Sequence, residues 1–295
     1  MVAPPVVFPT SLSPSRAHDF LSCPLRYRYR TIDQLPEDPS PTAIRGTLIH
    51  RVLEELFSLP ADQRTVTEAF DLLEQIFEIA AEQDPDQAAL LTSAGITPTK
   101  SRSLIEHYFT MEHPARIQPA HRELGIAAMI VDGFTIRGFI DRVDRSPDGR
   151  IRIVDYKTGK APRPGFESDA MFQMRFYALA WWRSTGDVPA MLQLLYLGSQ
   201  DIVRYEPRES ELIATERKIL AVRDAIQRSA TAGVFHPSPS KLCQWCSFQS
   251  VCPAFGGEPL PLPDPTMWVS GSLSDAEQST MLDAARADGT RMPHA

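Results

Sequence analysis

Gly138-Phe139-Ile140-Asp141-Arg142-Val143-Asp144, then a Pro147-Asp148-Gly149 turn, then Ile151-Arg152-Ile153-Val154-Asp155-Tyr156-Lys157-Thr158-Gly159: this stretch reads as two paired strands that carry charge where a core strand is apolar. Side chains alternate faces along a strand, so Ile151, Ile153, Asp155 and Lys157 share one face. That face begins apolar and ends with a carboxylate beside an ammonium. On the paired strand the same alternation puts Asp141 on a face with Phe139 and Val143. Burying an unpartnered charge is expensive, so charges entering a core are paired or hold a metal. A divalent cation held by Asp141 and Asp155, with Lys157 adjacent, resolves that cost and creates a reactive site.

The rest of the chain sets limits on such a site. Its 295 residues suffice for one large domain or two smaller ones. A net charge of −7 gives no global attraction to nucleic acid. Local basic runs exist: Arg26, Arg28 and Arg30 follow Cys23, and Arg142, Arg145, Lys157, Lys160 and Arg163 surround the acidic pair. Any single run is usually a solvated face. The start shows no secretory signal, and no stretch of roughly 20 apolar residues spans a membrane. A cytoplasmic location without a membrane partner is the default expectation. In a reducing compartment, four cysteines point to a metal or cluster over disulfides.

Outward from the acidic strands, periodicity predicts a helix over 46–59, with Leu48, Ile49, Val52, Leu53, Leu56 and Phe57 at helical spacing. Residues 60–120 read as helical and 11–30 as a short helix and loop. Strands are expected over 122–131, 133–141 and 151–157, the first two joined by an Asp132-Gly133 hairpin turn. A helix over 168–184, apolar on most sides, should be buried or lie at an interface. A strand over 191–198 and a helix over 208–231 follow. The Pro-rich stretch after Gly257 breaks regular structure. Residues 258–295 are expected to form a mobile tail with at most one short helix near 273–286. The order predicts an α/β core with a small mixed sheet.

The cysteines form one pattern: Cys23 near the start, then Cys243, Cys246 and Cys252. Cys243-x2-Cys246 spacing lets two thiolates reach one metal, and Cys252 is near enough to add a third. Cys23 completes four only if the chain ends meet in space; otherwise these are ordinary buried cysteines. Spacing does not separate tetrahedral zinc from a [4Fe–4S] cluster.

Six pieces in order carry a family resemblance: Ser13-Pro14-Ser15 leading to Cys23-Pro24; Gly46-Thr47-Leu48-Ile49-His50; Gly138-Phe139-Ile140-Asp141-Arg142; Asp155-Tyr156-Lys157-Thr158-Gly159; Gln173-Met174-Arg175-Phe176-Tyr177; and Cys243-x2-Cys246-x5-Cys252. Over residues 11–256 the chain resembles the RecB-like branch of the PD-(D/E)XK nuclease superfamily. Within it, the likeness is to iron–sulfur members such as the AddB nuclease domain and the CRISPR-associated RecB-like exonucleases. The resemblance implies a restriction-endonuclease-like core, a small mixed sheet flanked by helices, within a nuclease domain over 1–257. A helical insertion over 60–120 and a cluster region joining Cys23 to 240–256 complete it. It implies a catalytic set of His50, Asp141, Asp155 and Lys157. His50, Asp141, Asp155 and the Tyr156 carbonyl would bind Mg²⁺ or Mn²⁺. The four cysteines would hold a [4Fe–4S] cluster, with zinc the less favoured occupant. Glu123, Gln173, Tyr177 and Arg142 would be supporting residues near DNA. A lone His50 would read as helix-edge packing, and Gln173 and Tyr177 as satisfied core residues.

The resulting expectation is a metal-dependent DNA exonuclease acting on single-stranded ends in repair, recombination or DNA processing. No Gly-x4-Gly-Lys-Ser/Thr phosphate loop is present, so any motor would be a separate helicase partner. A second reading is a non-cleaving DNA-end-binding or scaffold subunit for a helicase or CRISPR integration partner, motivated by the basic runs and an exposed Trp/Met-rich helix. A third is a zinc- or cluster-based sensor with a vestigial sheet site.

Overall fold

Helix starts in this chain are written as a capping residue followed by proline. In the computed structural model, which describes residues 10–163, 168–258 and 260–263, four of them open this way. Ser13-Pro14 opens α1 (Pro14–Ser22), Ser40-Pro41 opens α3 (Pro41–Leu56), Asp84-Pro85 opens α5 (Pro85–Ser93) and Thr97-Pro98 opens α6 (Pro98–Met111). In each, the side-chain oxygen accepts an orphan backbone N–H while proline occupies a position that needs none. Thr65 caps α4 (Val66–Gln83) in the same way. Residues 60–120 are therefore three helices joined by short loops, with α4 packed on both α5 and α6, plus the start of a strand. A short helix α2 (Pro24–Tyr27) runs into a π-helical turn over Arg28–Ile32.

The sheet has six strands: β1 (Ser11–Leu12), β2 (Pro119–Val131), β3 (Phe134–Arg145), β4 (Ile151–Lys157), β5 (Met191–Tyr196) and β6 (Asp201–Tyr205). β2 and β3 form the expected hairpin, with Gly133 at φ +70° supplying the left-handed turn residue. β3 pairs antiparallel with β4, β4 parallel with β5, and β5 antiparallel with β6. The parallel pair needs a crossover, which α7 (Ser168–Thr185) provides. α8 (Glu209–Ala232) packs on α7 and ends at Gly233. The sheet is mixed, as expected. Two strands were not foreseen: β1, two residues long, and β6, which returns through Ser199-Gln200.

Both faces of the sheet are covered. Ile153, Leu192 and Leu194 pack into one core with Met174, Phe176, Ile219 and Val222. Val154, Tyr156 and Leu195 pack into a second with Ile49, Leu53, Leu73 and Ile105. This explains why β5 is buried almost continuously instead of alternating. The Trp/Met-rich helix is α7, and it is sandwiched: Met174, Phe176 and Trp181 are buried. It is not an exposed face, so of the two features that motivated the scaffold reading only the basic runs remain.

Residues 260–263 are docked on the body. Arg28 Nη2 donates to the carbonyls of Leu260 (2.9 Å) and Pro261 (2.7 Å), and Leu260 and Leu262 pack against the first core. The expected mobile tail thus begins with a held segment; the helix expected near 273–286 lies outside the described residues. No described helix is long and apolar enough to cross a membrane.

Candidate active site

A break in strand alternation builds the site. Ile140 and Val143 pack in the same core although three residues apart, so β3 changes phase between them, at Asp141. The same happens on β2, where Glu123 adopts φ +42°. His121 lies against Trp181, ring centroids 6.4 Å apart, and Leu124 packs on that core, again three apart. A left-handed non-glycine residue inside a strand is strained by roughly 1–3 kcal/mol and persists where the surroundings demand it. The register brackets Glu123 opposite Asp141: Arg122 pairs Arg142, and Leu124 pairs Ile140. Phe139 and Val143 therefore do not share a face with each other, contrary to simple alternation. Phe139 is 57% exposed and Val143 is fully buried.

Pairing of β3 with β4 stops at Arg142–Val154, and the strands splay. Asp141 fills the gap: its Oδ2 accepts the Tyr156 N–H at 2.7 Å. That bond fixes the carboxylate beside His50 of α3, whose Nδ1 lies 3.4 Å from the same oxygen. One ligand atom each from His50, Glu123 and Asp141 lie within 4.8 Å of one another, the one such His/Cys/Asp/Glu group among the described residues. Asp155, 2% exposed, sits alongside. Its Oδ2 is 2.8 Å from Lys157 Nζ, and its Oδ1 accepts from Gln173 Nε2 at 3.1 Å. Gln173 also accepts from Lys157 (2.9 Å) and donates to the Tyr177 hydroxyl (3.1 Å). The i, i+4 pair on α7 thus positions the lysine. Gly138 makes room: a Cβ there would meet the Tyr177 ring at 2.6 Å.

The electrostatics are those of crowded acids awaiting a cation. Burial, then the neighbouring Asp141 charge, push Glu123 up to about 7. The same two causes raise Asp155, opposed by Lys157. Burial works against the His50 cation, yet Asp141, Asp155 and Glu123 carry it up to about 8. Asp155 Oδ2 is buried without a hydrogen bond of good geometry, its nearest cation being the lysine. Hard oxygens, one imidazole and an under-satisfied carboxylate fit a divalent ion. Glu123, expected only to support, belongs with the ligand-bearing group.

Arg142 is a correction. It is 1% exposed and faces away from the cleft, donating to Glu112 (2.8 and 3.0 Å), Asp144 (3.1 Å) and the Tyr156 hydroxyl (2.6 Å). Buried there, it anchors Tyr156, the residue whose N–H holds Asp141. All three arginines of the N-terminal run are likewise committed to acids: Arg28 is buried against Asp33, and Arg26 and Arg30 both pair with Asp19.

A cleft of about 750 Å³ opens beside Lys157 and Gln173, lined by Arg16, Arg26, Arg137 and Phe139. Next to it, Cys23, Cys243, Cys246 and Cys252 line a second cavity, with Arg26 shared between the two. The Ser238 and Ser240 N–H groups donate to the sulfurs of Cys23 (3.4 Å) and Cys243 (3.3 Å). No three of the four sulfurs lie within 4.8 Å of one another.

The chain is 23% identical over 288 residues to the Gene 69 protein of Mycobacterium phage D29, covering 82% of this chain and 96% of that one. It is 32% identical over 129 residues to the Gene 69 protein of Mycobacterium phage L5, covering 42% of each. A solved structure from Eubacterium rectale, described as a candidate exonuclease, superposes with a TM-score of 0.53 at 12% identity, covering 90% of this chain and 94% of the other. At that identity the likeness speaks for the fold alone. A profile of the PD-(D/E)XK nuclease superfamily matches residues 11–253, which spans the sheet, the acidic site and all four cysteines. The chain belongs to the PD-(D/E)XK nuclease superfamily.

Proposed function

We propose that the chain is a Mg²⁺- or Mn²⁺-dependent deoxyribonuclease, acting as an exonuclease on single-stranded ends in DNA repair, recombination or related processing. The observation that carries this reading is the convergence of His50, Glu123 and Asp141 beside the Asp155–Lys157–Gln173 chain. His50, Glu123, Asp141 and Asp155 would hold the ion, with the Tyr156 carbonyl as a further oxygen ligand. When bound, the ion supplies Lewis-acid polarisation of a phosphoryl oxygen and makes water a stronger nucleophile.

The chain's own residues do the rest. Tyr156 N–H holds Asp141 in one rotamer, so no ordering entropy is spent when a substrate arrives. Gln173 pins Lys157, 29% exposed at the cleft, where its ammonium offsets charge developing on the phosphate and orients water. Tyr177 orients the Gln173 amide.

The cysteine cavity would hold a [4Fe–4S] cluster. The reading rests on the cysteine spacing in the sequence and on all four cysteines lining one cavity. Backbone N–H donors to the cysteine sulfurs tune such clusters. Arg26 lines both this cavity and the cleft that would take the nucleic acid.

The test is cleavage of end-labelled single and double strands with Mg²⁺ or Mn²⁺. The native chain should shorten single strands progressively from an end, and Asp155→Ala or Lys157→Ala should abolish this with the fold intact. Full activity in either variant would refute the assignment.

A further inference from the structure

Phe139 lies in the middle of a central strand, yet its ring is uncovered. Across the ladder stands Gly125, which has no side chain to lay over it. The other edge of β3 is open there, between the pairing of β1 at Thr135–Ile136 and that of β4 from Arg142. A singly exposed aromatic is ordinary on a protein surface. What sets this one apart is its place: it lines the same cleft as Lys157 and Gln173, two residues along the strand from Asp141. Two strand residues span about 7 Å. A nucleotide whose phosphate lies at Asp141 would therefore carry its base past the ring.

We propose that Phe139 is a stacking platform for the base adjoining the scissile phosphate, and that it makes an unpaired strand the preferred substrate. The inference rests on the nuclease reading above and names its substrate class. Stacking on a flat apolar ring tolerates every base, because each has a π-face. A base inside a duplex already stacks on its neighbours and gains nothing from the ring. Arg16 and Arg137, lining the same cleft, supply the sequence-independent attraction for the backbone that such a platform needs beside it. Phe139 thus acts as a positioning residue: it selects the strand, and Lys157 and the acids act on it.

The experiment measures binding of a labelled oligothymidylate in EDTA, where no strand is cut, for the native chain, Phe139→Ala and Phe139→Trp. Thermal melting checks that the variants fold. Phe139→Ala should bind about tenfold more weakly and Phe139→Trp should retain affinity. A single abasic residue walked in from the end should cost the native chain a similar factor at one position. At that position it should cost Phe139→Ala nothing more, and blunt duplex binding should be the same in all three. Unchanged binding by Phe139→Ala, or losses that multiply with the abasic residue, would overturn the proposal. Cleavage with Mn²⁺ is read separately. Phe139-dependent binding in a chain that cuts nothing supports the platform and sinks the nuclease reading. Cleavage with Phe139-independent binding does the reverse.

Discussion

Glu123→Gln should make the metal-free protein more stable and the metal-bound protein less so. Glu123 faces Asp141 across the ladder, and two carboxylates so placed repel. Burial and that repulsion push its carboxyl from near 4.5 up to about 7. The native state therefore grips a proton that the unfolded chain would release. Stability falls as pH rises from the ordinary carboxylate value, and the full penalty is felt above about 7. At 1.36 kcal/mol per tenfold change the gap is about 3–4 kcal/mol; partial exposure to solvent reduces it to roughly 1–2 kcal/mol. Glutamine keeps the size and the left-handed backbone but has no charge to repel. In EDTA at pH 8, urea denaturation should show Glu123→Gln more stable by that amount, and the two chains should converge near pH 4. Adding Mn²⁺ should reverse the order, because only the native chain keeps the full ligand set and binding adds RT ln(1 + [L]/Kd) to its stability. An equal or less stable variant at pH 8 in EDTA, or equal stabilisation of both chains by Mn²⁺, refutes the reasoning.

Four further outcomes are expected. Arg142→Met removes the main cation of buried Glu112 and one of the two arginines on Asp144, and should cost about 3–5 kcal/mol in urea denaturation. A loss below about 1 kcal/mol would mean the network is not structural. Metal affinity should climb as pH rises through 7 to 8, because the proton on His50, held to about 8, and that on Glu123 must leave first. Calorimetry showing a flat profile contradicts that ligand set. Protein purified without oxygen should be brown and Cys246→Ser colourless, whereas colourless native protein carrying one zinc would overturn the cluster proposal alone. Gly138→Ala should displace the Tyr177 ring and cut cleavage severalfold with a smaller change in melting temperature, since the ring holds Gln173; unchanged turnover would show that Gln173 needs no such support.

Most of the architecture was legible because the strong signals were local. The Asp132-Gly133 turn, the helical spacing around Leu53 and the apolar run of β5 each identify their elements without long-range information. The division of residues 60–120 was legible too, through the Asp84-Pro85 and Thr97-Pro98 starts, which periodicity alone passed over. β1 was not: two residues acquire strand character only from pairing with Thr135 and Ile136. The site was half legible. Asp155 and Lys157 follow strand alternation and sit where it puts them. Glu123 could not be placed the same way. Counting back from a two-residue turn sets residue 123 opposite 142, but a register shift between Met129 and Val131 moves it to Asp141. A one-residue slip exchanges faces. Arg142 faces the helical layer and is buried against Glu112, a partner thirty residues away that its local sequence does not reveal. Which arginines are committed to acids is a tertiary fact that no run of sequence contains.

The account depends on His50, Glu123, Asp141 and Asp155 gripping one divalent ion. Crystals soaked in Mn²⁺, with anomalous scattering recorded at the manganese edge, test this directly. The prediction is a single strong peak within ligand distance of His50 Nδ1 and of oxygens from Asp141 and Asp155, lost in Asp141→Ala crystals. Manganese bound elsewhere, or a peak that Asp141→Ala leaves in place, would contradict it.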